Sequence, residues 1–218
     1  MALASSGFYV SNVPVMFTRR PTGAYMPAQP YFPGFQPRAA RDVLFFGLLS
    51  PVDTAAAILK AGDGLRHLHG LDGRLIGPER LHVSLHGVGH YDGVPKSIVE
   101  RAYEAGAMVS TSPFPLMFDR VMSFGNKCDR RPVVLLPGYD LARLFTFHRA
   151  LGEAMKRVGI GRHVTRHFNP HITLLYDRQV VPEQPIDPIR MDVQDFVLVH
   201  SLVGQSRYIE LARWPLRG

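Results

Sequence analysis

Hydrophobic and polar residues fall into a regular order from Arg41 onward. Asp42–Leu49 (DVLFFGLL) is a short, nearly continuous apolar run, the mark of a buried strand. Ser50-Pro51-Val52-Asp53 reads as a helix start, with Pro51 at a position where its missing N–H costs nothing. A helix is expected over residues 54–68, interrupted or ended near Gly62 and Gly64. Residues 70–78 read as loop, and residues 81–87 as a strand that Gly87 and Gly89 end. Residues 94–109 form the next helix, with Ile98, Val99, Ala102 and Ala105 on one apolar stripe. Residues 114–124 and 133–136 are strands on either side of a basic loop, residues 127–131. Leu141, Leu144, Phe145, His148, Leu151, Met155 and Val158 keep a helical period, and Gly159 is the C-cap. A strand follows over residues 168–176, and Asp195–Leu202 with residues 207–214 reads as a hairpin around Gly204-Gln205-Ser206.

The resulting order is β-α-β-α-β-β-α-β-β-β. A helix followed by a strand of similar composition occurs twice, so the expected fold is α+β: two similar lobes of mostly antiparallel sheet, helices outside, facing across a central cleft. Residues 1–40 stand apart from this pattern. Pro14, Pro21, Pro27, Pro30, Pro33 and Pro37 exclude a long helix or central strand there. Phe8, Tyr9, Phe17, Tyr25, Tyr31, Phe32 and Phe35 make the segment too aromatic for a typical disordered tail, so an arm packed on a body of residues 41–218 is expected.

Composition narrows the class. A chain of 218 residues, 46% hydrophobic and 20% charged, can bury a substantial core. No apolar run is long enough to cross a membrane, and no basic segment precedes a long apolar stretch at the N-terminus. The single cysteine, Cys128, excludes an internal disulfide and a cysteine-built zinc site. A cytoplasmic location is expected, with no membrane partner. The net charge of +7 favours a polyanionic partner, because clustered Lys and Arg attract phosphates through a sequence-independent field.

The chemistry rests on two short stretches, His82-Val83-Ser84-Leu85 and His171-Ile172-Thr173-Leu174. Each is histidine, apolar, hydroxyl, apolar. On a strand, residues two apart share a face, so each imidazole lies beside its hydroxyl while the apolar residues turn to the core. Two such strands facing each other bring two imidazoles and two hydroxyls into one cleft. The plainer reading is a polar pair on a half-exposed strand, which fits one motif better than both together. A metal site is the sharper rival, since His82, His86 and His90 recur every four residues. Val83, Leu85 and Val88 with Gly87 and Gly89 favour strand then turn, and no carboxylate or cysteine completes a ligand set. No metal and no cofactor is expected. His86 is a candidate for lining the cleft, Arg162, Arg166 and His167 for meeting phosphate, and Phe168 or Tyr176 for stacking a base. His67, His69, His148 and His200 are expected at the surface or with their hydrogen bonds satisfied.

These residues resemble the 2H phosphoesterase superfamily, in its bacterial 2′-5′ RNA ligase (LigT-like) or RNA 2′,3′-cyclic phosphodiesterase branch. The paired His-x-Ser/Thr-x motifs carry the resemblance. DVLFFGLLSP at the first strand, Pro78-Glu79-Arg80-Leu81 before the first motif and Phe168-Asn169-Pro170 before the second agree with it, as does the closing hairpin. Ser84 stands where Thr is commoner, and Tyr176-Asp177 where the family often carries an Arg.

The resemblance implies a metal-independent phosphodiesterase that opens 2′,3′-cyclic phosphates of RNA ends or nucleotides, with reversible 2′-5′ joining as a related activity. It implies His82 as proton donor and His171 as acceptor, with Ser84 and Thr173 on the phosphate oxygens. An imidazole suits both jobs because its pKa near 6.5 lets one ring be neutral while the other is charged. The expected partner is RNA with a cyclic phosphate end or a small cyclic nucleotide, bound by a monomer. The alternatives are a binding module of the same fold with little turnover, or an enzyme of this class on another phosphodiester such as an ADP-ribose cyclic phosphate.

Overall fold

In the computed structural model the described residues are 41–125, 129–138, 140–165 and 167–217. The expected arm, Cys128 and Arg166 lie outside them. Eight strands, β1 (Asp42–Leu49), β2 (His82–Tyr91), β3 (Phe114–Ser123), β4 (Arg131–Pro137), β5 (Ile172–Asp177), β6 (Gln184–Val193), β7 (Asp195–Leu202) and β8 (Arg207–Pro215), alternate with three helices among the described residues. The helices are α1 (Val52–His69), α2 (Lys96–Ala107) and α3 (Ala142–Arg157).

The strands pair antiparallel throughout, in the order β6-β3-β4-β5-β2-β1-β7-β8. The order splits into two four-stranded halves, each with its motif strand, β5 or β2, at the inner edge. The residue pair Val83–Ile172 joins them. The fold is α+β, with the two expected lobes stitched into one continuous sheet.

The main core lies on the helix side, where Leu44, Phe46 and Leu48 of β1 meet Val83 and Leu85, Ile172 and Leu174, and Phe118, Phe147 and Phe196. A small second cluster, Phe45, Val197 and Val199 packed by Leu49 and Tyr208, lies on the opposite face. That face carries the motif side chains. The helices cross between halves: α1 follows β1 but packs on β6, where Thr54 Oγ1 donates to the Arg190 carbonyl at 3.2 Å. α3 precedes β5 but packs against β2.

Four elements differ from the pattern-based expectation. β5 begins at Ile172, so the expected strand residues 168–171 precede it as irregular backbone. α1 runs unbroken through Gly62 and Gly64 to a left-handed Gly70 at φ 61°. Gly62 is there for packing, since a Cβ on it would stand 2.7 Å from Leu75 Cδ2. β2 continues past Gly87 and Gly89 to Tyr91. β6 was not visible in the sequence because Pro185 and Pro188 interrupt its alternation. It tolerates them as an edge strand, where a missing N–H leaves no neighbour unpaired.

Candidate active site

Both motifs end in the same irregularity. In β2, Phe46 pairs with His86 but Gly47 pairs with Ser84, so Leu85 is an extra residue. In β5, Val133 pairs with Leu175 but Val134 pairs with Thr173, so Leu174 is extra. Such a bulge moves the alternation of faces on by one residue. Before each bulge the His and the hydroxyl residue turn away from the core while Val83 and Ile172 are buried. After it, His86 and Leu175 are buried, and Gly87 and Tyr176 face outward. Each bulge frees a carbonyl, and each carbonyl finds a donor. Leu85 O accepts from His148 Nε2 at 3.1 Å, and Leu174 O accepts from the Ile76 N–H at 2.7 Å.

The Val83–Ile172 pair sets the register of the quartet. One step to either side, Ser84 stands beside His171 and His82 beside Thr173. The two rings are held alike. His82 Nδ1 donates to the Arg80 carbonyl at 2.7 Å, and His171 Nδ1 donates to the Asn169 carbonyl at 2.8 Å. In each case the acceptor lies two residues upstream, so both Nε2 atoms are the ends turned away from the backbone. His82 Nε2 accepts from the Ser84 hydroxyl at 2.9 Å. Burial holds the His82 imidazole below its ordinary pKa, the Arg80 carbonyl opposes this, and charge on nearby His171 and Arg80 adds to the lowering.

Around the rings stand residues that sequence reasoning missed. Phe45 and Tyr208 flank His82, with ring centroids at 5.0 and 5.5 Å, and Phe124 meets His171 edge-on at 5.0 Å. The Arg80 guanidinium lies 5.3 Å over the Tyr208 ring, and its Nε is buried with no hydrogen-bond partner among the described residues. Burial raises the Tyr208 hydroxyl above its ordinary pKa, against the pull of Arg80, and Tyr176 is a further neighbour. Arg80 lies two residues before His82, in the 3-10 turn Pro78–Arg80 that orients the ring, and that proximity was a usable signal. Tyr208 comes from the far hairpin and left none.

The candidate substrate-binding residues separate. Tyr176 is on the cleft face, 48% exposed, because the Leu174 bulge turns it there. His86 does not line the cleft: the Leu85 bulge sends it into the core at 0% exposure. Phe168 is not in the cleft either. It stacks on His148 at 3.9 Å and lines a cavity of about 670 Å³ beside α3 that none of the four motif residues borders. Arg162 lies beside Tyr91, nine residues along β2 from His82 and so roughly 30 Å away. Asp177 faces inward, accepting from the Gly73 N–H at 2.6 Å and the Gln179 N–H at 2.8 Å. The bulge also separates His86 from His82 and His90, and among the described residues no group of three metal-ligating side chains converges.

The family model of the 2′-5′ RNA ligase superfamily matches residues 54–204, which include both motifs. The chain belongs to that superfamily. Its structure is similar to TT0787 of Thermus thermophilus, with a TM-score of 0.66 and 22% identity over 81% of this chain and 98% of that one. It is also similar to E. coli LigT complexed with 3′-AMP, with a TM-score of 0.60 and 25% identity over 81% and 98%. E. coli LigT complexed with NADP+ aligns with a TM-score of 0.62 and 26% identity over 81% and 99%. No curated protein matches the chain. It is thus a LigT-like 2H phosphoesterase in family and fold.

Proposed function

We propose that the protein hydrolyses 2′,3′-cyclic phosphodiesters at RNA ends or in nucleotides, using His82 and His171 as an acid and base pair. The observation that carries this reading is the shared ring geometry. Two imidazoles at the seam between β2 and β5 are each pinned through Nδ1 to a backbone carbonyl, which turns both Nε2 atoms toward the side where the two hydroxyls lie.

The phosphate lies between the rings. His171 Nε2 takes a proton from water as the water oxygen bonds to phosphorus. The bond to one ribose oxygen breaks, and His82, protonated on Nε2, gives that oxygen its proton. Hydroxyls of Ser84 and Thr173 donate to the non-bridging oxygens as charge develops there. The resting Ser84–His82 hydrogen bond must therefore open, so that Ser84 turns to phosphate and Nε2 takes up a proton. A phosphomonoester leaves, and solvent returns the proton from His171 to His82. Arg80 supplies a fixed positive charge next to His82, where the family often relies on an Arg after the second motif. Tyr208 and Tyr176 provide faces for a base. The complex of the similar E. coli LigT with 3′-AMP supports a nucleotide in this cleft. No step needs a metal ion, and a cytoplasmic enzyme acting on RNA ends fits the basic charge.

The experiment is ³¹P NMR of 2′,3′-cyclic AMP and of a cyclic-phosphate-ended oligoribonucleotide with the purified chain in excess EDTA. The reading expects the cyclic phosphate signal to be replaced by a single monoester isomer. A signal unchanged in EDTA but lost on adding a divalent ion would transfer the chemistry to a metal.

A further inference from the structure

Behind the motif strands, on the core side, three side chains join the ends of both motifs. His148 of α3 donates from Nε2 to the Leu85 carbonyl that the first bulge frees. His86, the next residue, donates from Nε2 to the His148 carbonyl at 2.9 Å, and its Nδ1 accepts the Thr165 N–H at 3.1 Å. The two imidazoles lie 3.8 Å apart between centroids, and Phe168 stacks flat on the other side of His148 at 3.9 Å and 4°. Thr165 and Phe168 belong to the approach whose Asn169 carbonyl holds His171 Nδ1. Gly152 of α3 leaves room for this, since a Cβ there would lie 3.3 Å from His86 Nε2.

We propose that His86 and His148 are positioning residues that set His171 relative to His82. Neither touches substrate. They act through the backbone: His148 fixes the end of the first motif, and the His86–Thr165 bond and the Phe168 stack fix the approach to the second. Both rings work in the neutral form. His86 must offer a lone pair on Nδ1 and a hydrogen on Nε2, and a second hydrogen on Nδ1 would expel the Thr165 N–H. Burial lowers the pKa of each ring, and the His86 charge adds to the lowering in His148, which is held down to about 4. The neutral rings that the brace needs are thus the favoured ones. This role rests on the two-histidine reading only for its effect on turnover.

The test pairs His148→Leu, which removes the donor to Leu85, with His148→Gln, which keeps an N–H near the same place. The first readout is the ¹⁵N spectrum of the His171 ring in substrate-free protein, where wild type should show the Nδ1–H tautomer. His148→Leu, still cooperatively folded, should lose or broaden that signature, and His148→Gln should restore it. The second readout is kcat on 2′,3′-cyclic AMP. It should fall by about 10²-fold in His148→Leu with KM little changed, as expected for a misplaced reacting group, and recover in His148→Gln. His86→Asn, which keeps an acceptor for Thr165, should be milder than His86→Leu in both readouts. An unchanged His171 spectrum in folded His148→Leu and His86→Leu overturns the proposal. Absence of turnover in wild type would sink the phosphodiesterase reading instead, and the spectrum would still decide the brace.

Discussion

His82 stands beside a second imidazole and a guanidinium, so in the free protein its charged form is disfavoured, with burial as the largest cause. A phosphodiester anion between the rings reverses part of that penalty by favouring an imidazolium on either side. Turnover should be bell-shaped in pH, with both limbs belonging to the coupled pair. The bell for kcat, which reports the bound state, should lie at higher pH than the bell for kcat/KM, which reports the free enzyme. Steady-state rates across the range measure both, and coincident bells would mean that no anion sits between the rings. The hydroxyls act at the same scale with less effect. Ser84→Ala and Thr173→Ala each remove one hydrogen bond to a charged phosphate oxygen, worth about 1.5–3 kcal/mol, so kcat/KM should fall by roughly 12- to 160-fold.

Among the elements, β5 depends on the loop before the first motif. A Cβ on Gly73 would stand 2.5 Å from the Tyr176 carbonyl and 2.9 Å from Leu175 Cδ1, and backbone cannot retreat as a side chain can. Gly73→Ala should cost about 1–3 kcal/mol of stability, the usual toll of overpacking, read as a lower urea midpoint at unchanged slope. Because the clash falls on Tyr176, KM for nucleotides should rise as well. The sequence showed where the motif strands lie but not how they bend. Alternation placed His82 and Ser84 on one face and carried His86 along with them. A bulge has no local signature in LHVSLHG: it is set by how β1 pairs with β2 and by a histidine on α3. Tyr176 was singled out as a residue for stacking a base and lies exposed on the motif face, although strict alternation from Thr173 would have turned it to the core. Phe45, Phe124 and Tyr208 join the site only through sheet pairing and so were out of reach. The proline-interrupted β6 was missed because an edge strand needs less of its sequence than a central one.

For the whole molecule, the buried imidazoles tie stability to pH. In the unfolded chain each histidine titrates near 6.5, whereas in the fold His148 is held down to about 4 and His86 is also lowered, chiefly by burial. Between those values the unfolded chain binds protons that the native state does not, so stability falls as pH drops from about 6.5 toward about 4. Above 6.5 both states are neutral and the contribution is flat. Urea midpoints at pH 7, 6, 5 and 4.5 should trace this decline, and His148→Gln, which has no ring to protonate, should make it shallower. An equally steep decline in that variant would place the titration elsewhere. The same scale explains the paired motifs. Two four-stranded halves meet at Val83–Ile172, each with its motif strand innermost, so each half brings one imidazole to the same seam.

The central claim, that His82 and His171 act on one transition state, is tested most directly by a double-mutant cycle on the hydrolysis of 2′,3′-cyclic AMP. Each single change, His82→Ala or His171→Ala, should lower kcat by about 10²–10⁴-fold, the usual yield of general acid or base catalysis. The double variant should lose far less than the product of the two, because groups that serve one proton-transfer step are not additive. Wild-type-like turnover in either folded single variant, or strictly multiplicative losses in the double, would contradict the account.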